Sequence, residues 1–79
     1  MTRNELMQEL SNYKLSIVFG DSITEIYIAD RKEPVQIAEI SEYHENMMNT
    51  MFEPFMDDEL KLILDRYSRT LIASRGEYE

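Results

Sequence analysis

Apolar residues recur along this chain with two different periods, and the switches between them mark its elements. Leu6, Leu10 and Tyr13 fall at i, i+4 and i+7, one face of a helix. Just before them, Thr2-Arg3-Asn4-Glu5 has the form of a capping box, in which the Thr side chain and the Glu side chain each satisfy the other's backbone N–H. The pattern predicts a first helix from Thr2 to Ser11. The period then changes to two: Leu15, Ile17 and Phe19 alternate with Ser16 and Val18. A turn cluster, Gly20-Asp21-Ser22, separates this strand from ITEIYIA, so Ile23 to Ala29 reads as the second arm of a hairpin. After the charged turn Asp30 to Pro34, VQIAEIS predicts a third strand over Val35–Ser41. Its alternation is imperfect, because Val35 and Ile37 share one face while Ala38 and Ile40 share the other. Either both faces are covered or the strand contains a bulge.

The clearest periodicity lies at the end. Leu60, Ile63, Leu64, Tyr67 and Leu71 form a broad apolar stripe at helical spacing. Asp57, Asp58 and Glu59 occupy its first turn, where the positive end of the helix dipole favours carboxylates. This predicts a helix from Asp57 to Ser74, ended by Gly76, with a frayed tail Glu77-Tyr78-Glu79. The order α-β-β-β-α gives an α+β fold class: a three-stranded antiparallel sheet with helices on one face, in a single domain over residues 1–79.

Between the third strand and the last helix lies EYHENMMNTMFEPFMDDEL, residues 42–60. It holds six acidic residues and no Lys or Arg, with four of the six Met, two of the three Phe and the only His. Met48, Met51, Phe52 and Phe55 fall at helical spacing, so a short helix over Asn46–Glu53, ended by Pro54, is one reading. The side chains could plug the open end of the core, since Met fills irregular gaps. Alternatively, some stay exposed as an adaptable apolar centre with an acidic rim. A division satisfies both, with Phe52 and Phe55 inward and Met47, Met48 and the carboxylates outward.

Charge sharpens that picture. The net charge is −8 over 79 residues, and residues 42–60 contribute −6 of it. Direct binding to DNA or RNA needs clustered Lys and Arg, so it is disfavoured, as is adhesion to an anionic membrane. A basic protein surface is the natural complement, although acidic charge also simply keeps small proteins apart. There is no Cys, hence no disulfide or thiolate metal site, and no apolar run long enough to span a membrane. The N-terminal ten residues lack the apolar centre of a signal peptide. A cytoplasmic location is the expectation.

Candidate chemistry is sparse. Nucleophilic catalysis would pair a Ser or Thr with His44, and no nucleophile elbow is present. His44 sits between Tyr43 and Glu45 in an expected loop. The run Asp57-Asp58-Glu59 lacks the alternating spacing of a calcium loop, and the helix dipole accounts for it without a metal. Gly20 and Gly76 are too far apart to cradle a phosphate. No enzymatic activity, cofactor or metal is expected.

Three segments carry a resemblance. Val35-Gln36-Ile37-Ala38-Glu39-Ile40-Ser41 resembles the V-I-A-E-V-S strand of a group of small proteins encoded by phages and prophages of Gram-positive bacteria. Leu62-Ile63-Leu64-Asp65-Arg66-Tyr67-Ser68-Arg69-Thr70 is similar to that group's L-L-x-E-Y-A-x-T-P, with Leu71 standing where the group has Pro. The opening MTRNELMQEL is similar as well. The resemblance implies a phage-type origin and a place in the host cytoplasm, and it carries no catalytic residues. By analogy of size, charge and source, it points towards the anti-CRISPR proteins, some of which present carboxylates where DNA phosphates would lie.

The leading expectation is therefore a non-enzymatic binding protein that mimics nucleic acid. It would engage a partner with a basic, nucleic-acid-binding surface through Glu42, Glu45, Glu53, Asp57, Asp58 and Glu59 as phosphate surrogates, beside Met47 and Met48. The alternative is a structural or regulatory adaptor acting as a homodimer through the Met and Phe surface.

Overall fold

The computed structural model describes residues 1–29, 32–51 and 56–76. Helix α1 spans Arg3–Leu10, with Thr2 as its N-cap and the full capping box in place. The Glu5 N–H donates to the Thr2 hydroxyl at 3.1 Å and the Thr2 N–H donates to the Glu5 carboxylate at 2.9 Å. Strands β1 (Leu15–Phe19), β2 (Ile23–Ile28) and β3 (Val35–Ser41) follow as an antiparallel meander. A fourth strand, β4 (Met48–Thr50), adds antiparallel to β3, so the sheet has four strands in the order β1-β2-β3-β4.

That fourth strand corrects the expectation of three. Asn46 has a φ of 65°, a left-handed conformation that Asn tolerates and that no helix can run through. The chain turns there and returns along β3, with Met48 opposite Ile40 and Thr50 opposite Ala38. The helix over Asn46–Glu53 is absent from its described part, and Phe52, Glu53, Pro54 and Phe55 lie outside the described residues. The same holds for the tail Glu77-Tyr78-Glu79.

The imperfect alternation of β3 is resolved by a bulge. Ile26 pairs with Ala38 but Tyr27 pairs with Gln36, leaving Ile37 as the extra residue. Ile37 and Ala38 are thereby both fully buried, although they are neighbours.

Helix α2 spans Asp58–Arg69, capped by the Asp57 carboxylate, which accepts from the Leu60 N–H at 2.7 Å. Leu60, Ile63, Leu64 and Tyr67 bury its stripe against Leu6, Leu10, Ile26, Ile37 and Ile40, so both helices cover one face of the sheet. The expected continuation to Ser74 fails at Thr70, whose backbone is extended with ψ 134°. A separate 3-10 turn follows over Ile72–Ser74, and Leu71 is 63% exposed instead of completing the stripe. Gly76 therefore does not end α2, which has already stopped at Arg69. Among the described residues no helix is long and apolar enough to cross a membrane.

Candidate binding site

Glu42 is turned into the protein and not towards solvent. Ile40 points into the core, and continuing the two-residue strand period beyond Ser41 carries the next side chain to the same side. Glu42 is 5% exposed, and both its carboxylate oxygens are engaged inside the protein. One accepts from Arg3 at 2.8 Å and from Arg75 at 2.9 Å. The other accepts from the Tyr67 hydroxyl at 2.7 Å and from the Thr24 hydroxyl. Burial on its own would raise the Glu42 pKa, but the hydrogen bonds from Thr24, Tyr67 and Arg75 and the charge of Arg3 outweigh it, holding the carboxyl below its ordinary range. Tyr67 moves the opposite way, raised first by burial and then by its bond to the carboxylate.

Arg75, with no exposed surface, completes the cluster. Its guanidinium also donates to the carbonyls of Thr70 at 3.1 Å, Ser41 at 2.7 Å and Ser68 at 2.9 Å, and lies 4.7 Å from the centre of the Tyr67 ring. It thus satisfies a carbonyl that α2 leaves open at its C-terminal end, where the dipole favours a cation. Glu42 is a structural clasp joining α1, β2, the end of β3, α2 and the C-terminal segment. The expectation that it meets a partner is corrected, because neither oxygen faces solvent.

Among the described residues, the remaining acidic positions of this stretch do not form one patch. Asp57, Asp58 and Glu59 are exposed at the start of α2. Glu45 is half-buried in the turn before Asn46, whose N–H donates to the Ser68 carbonyl near the other end of α2 at 2.9 Å. Ten residues of helix separate the two places, about 15 Å at the usual rise. Met47 is 55% exposed, whereas Met48 packs on the core, and Glu53 lies outside the described residues. In place of the lost members the fold supplies Glu9. The Tyr13 hydroxyl has a raised pKa, owing to desolvation and then to the charges of Asp57, Glu59 and Glu9, so the end of α1 and the start of α2 share an anionic pole. His44 is exposed on a turn in which the Ser41 hydroxyl accepts from the backbone of Tyr43 and His44, each at 3.1 Å.

The sheet face away from the helices is the second feature. Register places Val18, Glu25, Glu39 and Asn49 in one row across all four strands. Ile23 and Ser41 form the next row towards the turns. Beside them, Ser22, Ile23, Tyr43, Met47 and Asn49 line a half-open groove of about 460 Å³, with Glu39 its single charged wall residue. Ile23, Tyr43 and Met47 are 43%, 67% and 55% exposed. No protein family, curated protein or solved structure matches this chain. Among the described residues no group of acids, His or Cys is arranged to hold a metal ion.

Sequence reasoning missed both the clasp and the open-face row. The clasp had one local signal, the strand period running on from Ile40 to Glu42. The row had another, since Glu25 and Glu39 alternate with inward-facing Ile26 and Ile40, but their pairing depends on register across a bulge.

Proposed function

We propose that this chain is a non-enzymatic, acidic binding protein of the phage type its sequence resembles. It engages a protein partner through that partner's basic, nucleic-acid-binding surface. The observation that carries this reading is the division of its charges. The one carboxylate buried among the described residues is matched internally by Arg3 and Arg75. Glu9, Asp57, Asp58 and Glu59 are instead left exposed where α1 and α2 meet. Exposed carboxylates can pair with the Arg and Lys groups that otherwise hold phosphate. The absence of a catalytic role is part of the same reading: the buried ionisable groups saturate one another, and His44 stands on an exposed turn with backbone-engaged neighbours.

The test is capture of host proteins by the tagged chain at low and high salt, beside a variant carrying Asp57→Asn, Asp58→Asn, Glu59→Gln and Glu9→Gln. Asn retains the helix cap, so the variant changes charge while keeping the local fold. The expected result is a nucleic-acid-handling protein that is displaced by added DNA, by salt and by the substitutions. Capture equally strong at both salt concentrations would refute the reading, because exposed charge pairs are screened.

A further inference from the structure

We infer that the open face of the sheet is a docking site for an extended, basic peptide segment of the partner, with an apolar side chain in the groove and an Arg or Lys over Glu25 and Glu39. This rests on the proposed function and adds to the carboxylates at the helix pole a second contact, on another face, for the same basic partner.

Glu25 and Glu39 are directly opposite one another on β2 and β3. Directly paired residues bring their Cβ atoms to about 5 Å, and like charges at that position work against the sheet. The hydrogen bonds that they accept come from neutral donors, Tyr27 to Glu25 at 2.8 Å and Asn49 to Glu39 at 3.0 Å. These are also the only charged residues within the four strands, so the strands themselves give the face negative charge alone. Two carboxylates fixed side by side match the forked donors of a guanidinium, which can reach both.

The apolar half of the site adjoins this pair. Ile23 precedes Glu25 by two residues on the same face, as Ser41 follows Glu39, and Tyr43 and Met47 close the groove beyond them. Residues two apart on a strand lie about 6.7 Å apart, the repeat of any extended peptide. A segment with a large apolar residue two positions from an Arg or Lys therefore places both side chains at once. A second copy of this chain is the poorer occupant, because packing the two faces together would crowd four carboxylates.

The experiment is selection of a random peptide library on the immobilised chain, followed by affinity measurement of the enriched peptides. The expected result is enrichment of an aromatic or large aliphatic residue two positions from Arg or Lys. Binding should weaken about ten- to a hundredfold in a Glu25→Gln, Glu39→Gln variant, the loss of charge-assisted hydrogen bonds. Amide NMR shifts should fall on residues 22–25 and 39–49. Met47→Ala should weaken the same peptides without moving the unfolding midpoint, since Met47 is mostly exposed. No enrichment, enriched peptides without a basic residue, or affinity unchanged in the Gln variant would overturn the inference. If binding instead survives the Gln variant and is lost on Asp58→Asn with Glu59→Gln, the helix pole is the site and only the general reading stands. A dimer in sedimentation that Met47→Ala dissociates would hand the groove to a second copy and overturn the peptide assignment.

Discussion

Glu42→Gln isolates the charge of the clasp. The side chain keeps its shape and an oxygen acceptor, and the Thr24 and Tyr67 hydroxyls can rotate to accept from the new amide. What disappears is the negative charge facing Arg75, whose side chain is 0% exposed, and Arg3, whose side chain is 18% exposed. Arg3 can turn towards water, but Arg75 cannot. Breaking a buried pair by removing one partner costs about 3–5 kcal/mol, because the remaining ion stays desolvated. A single core in a domain of this size supplies about the same amount in total. The variant should thus be largely unfolded at 25 °C, or melt some tens of degrees lower, at about 4–8 °C per kcal/mol. Urea unfolding followed by far-UV circular dichroism measures the loss. Glu33→Gln, at an exposed position, is the control and should stay within about 0.5 kcal/mol. A loss for Glu42→Gln below about 1 kcal/mol would refute the clasp as an energetic centre, since the buried guanidinium would then need no counter-ion.

Four further predictions concern pH and single substitutions. Glu42 has its pKa lowered from 4.5 by folding, so the unfolded chain takes the proton first. Its contribution is present above that pH and is lost on acidification at up to about 1.4 kcal/mol per pH unit, a limb that acid titration of stability should show. Tyr67 is raised from 10.0, so the unfolded chain loses that proton first and stability should fall as pH rises past 10. Glu39→Gln should stabilise the protein by about 0.2–1 kcal/mol in chemical denaturation, by relieving the repulsion opposite Glu25. Thr2→Ala and Asp57→Ala should each cost about 1 kcal/mol in the same assay, with Asp57→Asn nearly neutral.

The parts of the fold legible in sequence are those specified by neighbours in the chain. The capping box, the first hairpin, and the start of α2 with its stripe as far as Tyr67 each repeat a signal over several residues, and these appear within a residue or two of the expected places. Strand β4 has three residues, too few to show a period, and the helical spacing of Met48, Met51, Phe52 and Phe55 competed with it. Asn46 decided the matter through a backbone angle that sequence does not display. The end of α2 departs from the pattern because Leu71 continues the apolar spacing while Thr70 leaves the helix. Of the candidate site, the acidity and the exposure of Met47 were legible. The removal of Glu42 from the surface was not, because its partner Arg75 lies 33 residues away.

That separation has a consequence for how the protein comes into being on the ribosome. Synthesis proceeds from the N-terminus at about 5–20 residues per second, and contacts between distant residues are slow to earn back their closure entropy. Here Arg3 and Arg75 both meet at Glu42, and the Arg3 N–H also donates to the Arg75 carbonyl at 2.7 Å. The meander can pair early, but its central carboxylate waits for the latest-made part of the described chain. Until Arg75 leaves the exit tunnel, a nascent chain carries Glu42 with half its counter-charge and an uncovered α2 terminus. Completion of the fold therefore waits for the emergence of Arg75, and products stalled or shortened before it are left open to proteases.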